Sequence, residues 1–246
     1  MKYFKYNMQD ISAYVSKTSA VLLACLLLVA CATKQTAQPL VAVDTMAEKV
    51  ELLATEQYLP VQAYDETQQL IPYQAKENPY LAQKKQVDKG SVLLFIEAQT
   101  AWRNGDSDTA KQKLNVIIRN DKGLSGPWMI LGDIALAEKD SVLAQKHYQQ
   151  GLLINPNNVN GYTALAQAQR IQGQYNRAQN TLAKALGLWS DFPEAHYNLS
   201  ILFDIYLNQS EKAKQHLNAY ILLEGGDQES QQWLQQLSER SLAGEE

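Results

Sequence analysis

The stretch SGPWMILGDIALAEKDSVLAQKHYQQGLLINPNN, residues 125–158, decides how this chain folds. Within it, Trp128, Leu131-Gly132, Ala144, Tyr148, Gly151-Leu152 and Pro156 set large, small and helix-stopping residues at fixed intervals. The same intervals return 34 residues to either side. One step back, Leu94, Ala98, Ala101, Gly105, Ala110, Leu114 and Ile117 fill the matching slots. One step forward, the slots hold Tyr162, Leu165, Ala166, Gly173, Tyr175, Ala178, Leu182 and Ala185. A further step gives His196, Leu199, Ser200 and Phe203, after which one inserted residue brings Ala213 and Leu217 into register. A constant period of this length marks a stacked array, because a single unit cannot bury its own apolar face.

With Ser125 as position 1, the pattern resembles the tetratricopeptide repeat (TPR), W-x₂-L-G-x₂-Y, A-x₃-F and P in a 34-residue unit. The resemblance implies an all-α fold, a TPR-like α-α solenoid of about four helical hairpins, residues 91–124, 125–158, 159–192 and 193–224. Small residues at positions 8 and 20 (Ala98 and Ala110, Gly132 and Ala144, Ala166 and Ala178) let the two helices of a unit approach closely. Large residues at positions 4 and 24 fill the space around that crossing. Gly105 and Gly173 suit the tight turn between helices, where φ is positive. Pro156 and Pro193 stand between units, where one helix stops and the next begins. The fourth unit has a longer first helix, from Glu194 to about Leu207, with no glycine at its turn. After Gly225-Gly226, Asp227 caps a last helix striped by Trp233, Leu234 and Leu237, so residues 225–246 read as a capping helix and tail.

The resemblance also implies a groove. In the family, positions 2, 5, 9, 12 and 13 of each first helix line a concave face. The first unit supplies Val92, Phe95, Gln99, Trp102 and Arg103, and the second supplies Gly126, Met129, Asp133, Leu136 and Ala137. Asn160, Thr163, Gln167, Arg170 and Ile171 come next, then Glu194, Tyr197, Ile201, Asp204 and Ile205. Chaperone-binding members clamp a peptide carboxylate with lysines and asparagines here, and the lysines are absent from this chain. Its lining mixes apolar and amide side chains with a few separated charges. Phe95, Trp102, Met129 and Tyr197 are the expected anchors for an extended or helical segment of another protein. The alternative is a groove filled from within, by residues 59–80 or by the helix before them.

That preceding region, residues 44–90, reads as a helix and then a proline-interrupted arm. Asp44 caps a helix whose Met46, Val50, Leu53 and Tyr58 fall on one side. Pro60, Pro72 and Pro79 then interrupt regular structure, and Val61, Tyr64, Leu70, Ile71 and Tyr73 are available to pack on the repeats. Upstream, Ala20–Ala32 is an uncharged apolar run. As a helix it rises about 20 Å, short of the roughly 30 Å hydrocarbon core. With a basic start and small residues at its end, it reads as an export signal. Leu28-Val29-Ala30-Cys31 resembles the lipobox of bacterial lipoproteins. That resemblance implies removal of residues 1–30, lipidation at Cys31, and a flexible tether over residues 31–43. Stable anchoring takes two or more acyl chains, each CH₂ contributing ~0.8 kcal/mol. Ala32 in place of aspartate implies the outer membrane and its periplasmic face; an inner-membrane signal anchor is the alternative. The polar stretch ahead of the run is long and contains Asp10, which leaves the start open between Met1 and Met8.

Composition narrows the chemistry. Net charge is −4 with a pI near 5.5, so phosphate backbones are not attracted and nucleic acid is not an expected partner. Cys25 and Cys31 are the only cysteines, which leaves the body without a thiol for a disulfide, a metal site or a nucleophile. Of the three histidines, His196 falls in a packing slot, while His147 and His216 lie beside polar neighbours and are expected to be exposed. There is no H-E-x-x-H, no G-x-S-x-G and no phosphate-cradling glycine loop. Asp106, Asp108, Glu138 and Asp140 sit at inter-helix turns, where caps and solvated faces account for them. The expectation is a protein-interaction scaffold for an envelope complex, with no cofactor, metal or catalysis, and with its oligomeric state open. Two alternatives stand beside it: a cell-wall enzyme or enzyme subunit using surface carboxylates, and a self-assembling structural array. The resemblance extends to lipoproteins that help assemble pilus secretins, organise cell-wall enzymes or accompany energy-transducing complexes.

Overall fold

Helix boundaries arise from local chemistry repeated at each unit. In the computed structural model, which describes residues 50–81 and 86–243, Asp88, Asp106, Asp140 and Asn158 each accept the backbone N–H three residues on. Such a cap contributes about 1 kcal/mol by satisfying a donor that the helix leaves free. The helices they open are α1 (Lys89–Arg103), α2 (Ser107–Asn120), α4 (Ser141–Ile154) and α5 (Val159–Ile171). Between them α3 (Gly126–Ala137) starts on Pro127, whose missing N–H costs nothing in a first turn. The series continues with α6 (Tyr175–Leu188), α7 (Pro193–Ile201), α8 (Ser210–Glu224) and α9 (Gln228–Ala243). Odd and even members pair as antiparallel hairpins, and each hairpin stacks on the next.

The turn inside each hairpin carries the same device. Gly105, Lys139, Gly173 and Asn208 have φ of 84°, 65°, 73° and 51°, the left-handed region. In the first three, the next N–H (Asp106, Asp140, Gln174) reaches back to Ala101, Ala135 and Gln169. This closes the first helix and turns the chain into the second. The first three turn residues are 34 apart, and Asn208 comes after 35. The inserted residue of the fourth unit therefore lies ahead of its turn. It forms a π turn, Leu202–Tyr206, continuing α7, where Leu207 N–H bonds to Leu202 O at 3.0 Å. A widened turn of this kind takes one extra residue without breaking the helix.

Position 8 meets position 24 at the crossing of the second unit. A Cβ on Gly132 would run into the ring of Tyr148, which is wholly buried. Ala98 and Ala166 at position 8, and Ala110, Ala144 and Ala178 at position 20, are likewise buried. The core runs along the stack in three patches, one around Leu114 and Ile134, one around Tyr148 and Leu165, and a larger one around Leu182, Phe192, Phe203 and Leu217. Helix α9 closes the last hairpin by burying Trp233 and Leu237, with Gln231, Gln232, Gln235 and Gln236 outward. At the other end, Leu93 stays 62% exposed on α1. Its counterparts Pro127, Gly161 and Ala195 are buried between units.

The arm departs from expectation. Asp44 and Met46 lie outside the described residues, and residues 50–55 are not helical; a single 3₁₀ turn, Glu56–Tyr58, comes next. The reason is that the backbone is engaged from outside. Asn180 of α6 donates to Glu51 O and accepts from Leu53 N–H, while Gln179 donates to Leu53 O. A helix would have used those groups internally. Farther on, Val61, Tyr64, Leu70 and Ile71 do not pack on the repeats. They sit exposed on a hairpin in which Tyr64 bridges Leu70, tightened by Asp65 accepting from Thr67 and Gln69 N–H.

Candidate functional site

The concave positions divide into those spent on stacking and those left open. Phe95 lies against Gly126 of the next unit, where a Cβ would be 3.5 Å from the ring. Met129 fills the notch between Gly151 and Gly161, where added Cβ atoms would meet its methyl and its sulfur. Tyr197 packs edge-on to Trp233 of α9 and beside Tyr220 of α8. These position-5 side chains lock each unit to its neighbour and are only partly accessible. Thr163 Oγ1 turns back to Asn160 O, and Ile201 packs on the last core patch.

Positions 9 and 12 bear the polar character of the face. Asp133 accepts from the Tyr148 hydroxyl at 2.7 Å. Burial pushes its carboxyl up to about 6, against the pull of that hydrogen bond. Arg170 donates from Nη1 to the Tyr206 hydroxyl at 2.8 Å, with its guanidinium carbon 5.3 Å from the same ring. Tyr206 belongs to the π turn and also packs on Tyr175. Asp204, from that turn, accepts from Trp233 Nε1 at 2.8 Å and pairs with Arg240, so α9 covers this end of the face. Glu194 is raised above the usual carboxylate range by burial, with Glu224 adding repulsion. Gln99, Trp102, Leu136 and Gln167 remain half-exposed, and Ile171 and Ile205 are exposed.

The described residues of the arm do not fill this face. Among the described residues, its hydrogen bonds and ion pairs to the solenoid end on α6, on the α6–α7 connection and on α8. Besides the Glu51 and Leu53 contacts, Glu56 pairs with Lys212, Tyr73 OH and Lys76 N–H donate to Asp191, and Trp189 Nε1 donates to Lys76 O. Tyr58, Lys76, Glu77 and Trp189 line a cavity of about 340 Å³ beside Gly187. It contains one carboxylate. A second, smaller pocket beside Gln167 and Arg170 contains none. Neither brings together two acids for hydrolysis.

Two of the histidines, both expected at the surface, depart from expectation. His147 is half-buried against Trp128, and His196 is buried as its slot requires. His216, expected at the surface, is also fully buried, because the arm supplies Thr55 as a lid and hydrogen-bond partner. No spacing rule along α8 reports that contact, since Thr55 is 161 residues away. Among the described residues no cluster of three or more His, Cys, Asp or Glu side chains could hold a metal, and no helix is long and apolar enough to cross a membrane. Cys31 lies outside the described residues.

Residues 147–180 match the tetratricopeptide repeat family, a window running from within α4 to within α6. No curated protein matches the chain by sequence. Solved structures share its architecture. MamA from Desulfovibrio magneticus RS-1, from residue 41 to its end, is 19% identical, with 63% of this chain and 88% of that one covered and a TM-score of 0.55. The Pseudomonas aeruginosa protein pilF is 16% identical over 63% of this chain and 71% of that one, with a TM-score of 0.57. TTC0263, a thermophilic TPR protein in Thermus thermophilus, is 16% identical over 60% and 80%, with a TM-score of 0.51. The fold is a TPR-like solenoid.

Proposed function

We propose that this chain is a lipid-anchored interaction scaffold of the bacterial envelope, holding a segment of another protein along the face made by α1, α3, α5 and α7. One observation carries the reading: among the described residues, the part of that face made by α1, α3 and α5 stays open while the chain's own arm docks on α6, on α8 and on the connection after α6. Trp102, Leu136 and Ile171 offer apolar contacts between the amides of Gln99 and Gln167, a mixture suited to a polypeptide backbone with apolar side chains. The lipobox resemblance at Cys31 supports attachment to the outer membrane, facing the periplasm.

The test places a photoreactive residue at Gln99 or Ile171 in the full chain and irradiates intact cells. A discrete crosslinked protein is expected from these sites and not from Leu153 on α4. Crosslinks of equal yield from Leu153 would remove the concave face from consideration. Palmitate labelling that persists in Cys31→Ala would remove the anchor.

One observation favours a second reading, pairing of two copies through α1. Among the described residues, Leu93 and Ile96 form an exposed apolar edge, whereas the far end is sealed by α9, whose outer side is polar. Light scattering tests it: a dimer that dissociates in Leu93→Glu supports pairing, and a monomeric parent dismisses it.

A further inference from the structure

Under the arm, side chains from three parts of the chain form one buried relay. Thr55 Oγ1 lies 2.9 Å from His216 Nε2, and His216 Nδ1 lies 2.9 Å from His196 Nδ1. His196 Nε2 then lies 2.9 Å from the carbonyl oxygen of Ser190. Thr55, His196 and His216 have no exposed surface. A carbonyl only accepts, so His196 carries its proton on Nε2 and offers a lone pair at Nδ1. His216 must donate from Nδ1, which leaves its Nε2 to accept from the Thr55 hydroxyl. The direction of every bond is thereby set, and with both rings neutral each bond is satisfied without burying a charge. An added proton either opposes two N–H groups between the rings or leaves a desolvated cation under the arm.

The charged groups around the pair do not supply a free counter-ion. Glu56 of the arm is held by Lys212 at 2.8 Å, and Lys212 itself opposes a second cation. Asp191, behind His196, already accepts from Tyr73 OH, Lys76 N–H and Ser190 Oγ. Burial holds both histidines below their ordinary range, with His216 lowered to about 3 as the neighbouring ring adds to the effect.

We propose that residues 51–58 are an acid-released latch: the neutral His196–His216 pair holds Thr55 in place, and acid frees this part of the arm. Release uncovers Gln179 and Asn180, which read the arm's backbone, while residues 73–76 stay clamped on Asp191. In the released state His216, the ring that Thr55 covers, regains water and binds a proton at its ordinary affinity, so release binds one more proton than docking does. The docking equilibrium therefore weakens by up to tenfold for each pH unit below about 6.5.

Hydrogen exchange read by mass spectrometry on the full chain in mild detergent tests this, at about pH 7.5 and about pH 5 with intrinsic rates corrected. The amides of Leu53 and Tyr58 are expected to lose at least about tenfold of their protection at the lower pH, while Lys76 and the amides of α4 to α6 keep theirs. His216→Gln is expected to abolish the pH step. Unchanged protection, a loss spread evenly over α5 to α8, or a step that survives in His216→Gln overturns the latch. Should circular dichroism show His216→Gln unfolded, Thr55→Val, confined to the arm, replaces it. Fast arm exchange at both pH values is expected there, and a retained pH step overturns the proposal equally.

Discussion

The hydroxyl of Tyr148 donates to the Asp133 carboxylate at 2.7 Å, tying the packing slot of α4 to the concave face of α3. A crossing that is dry on one side and polar on the other thus shares a single side chain.

That contact predicts a pH-dependent stability. Burial raises the Asp133 carboxyl to about 6 in the folded chain, above the ordinary carboxylate value it regains on unfolding. The folded state binds the proton more tightly, so this group's contribution is greatest in acid and is lost as pH rises through about 6. Asp133→Asn keeps an oxygen for Tyr148 and removes the titration. At neutral pH the variant is expected to be more stable than the parent by roughly 1–3 kcal/mol, with the difference disappearing near pH 4. Urea unfolding at both pH values checks this; a constant difference would exclude the carboxyl as its source.

Gly132→Ala tests the crossing itself. The added methyl meets the ring of Tyr148, which is wholly buried and bonded to Asp133 and cannot swing aside. A loss of about 1–3 kcal/mol is expected from overpacking. Combining it with Tyr148→Leu should cost less than the two changes added together, the mark of a direct contact in a double-mutant cycle.

Lys139 occupies the turn slot that glycine fills at Gly105 and Gly173, with φ of 65°. A Cβ in that conformation is strained, and glycine removes the strain at the expense of a more disordered unfolded chain. Lys139→Gly is expected to raise stability by about 0.5–1 kcal/mol in thermal or urea melts.

Asp204→Ala should loosen the end of the stack. It removes the acceptor of Trp233 Nε1 and the partner of Arg240. A loss of about 1.5–3 kcal/mol is expected for a buried, charge-assisted hydrogen bond. Indole emission from Trp233 should shift red, and α9 should become sensitive to protease, while residues 107–171 keep their protection.

Much of this architecture can be read from residue spacing. Gly132, Ala144, Ala166 and Ala178 announce the crossings because only small side chains fit there, and that requirement is local to each hairpin. The extra residue of the fourth unit is countable in the sequence, yet its place is not: an apolar run such as Ile201-Leu202-Phe203 suits α and π geometry alike. The face was harder to apportion. Phe95 and Met129 look like free anchors until Gly126 and Gly161, one unit later, are recognised as the hollows that receive them. His216 was illegible for a different reason. The group that buries it arrives from residue 55, and contacts across that separation leave no periodic trace.

The π turn has a consequence for anyone rebuilding this solenoid. Because the surplus residue is absorbed in the last turn of a helix, the connections on both sides keep their ordinary length and the later helices stay seated. Replacing the 35 residues 193–227 with a regular 34-residue module would delete that residue and rotate the rest of the chain by roughly 100° about the helix axis. Tyr206 would then swing off Arg170 and Asp204 away from Trp233, so the terminal cap would come loose even though every hairpin remained intact.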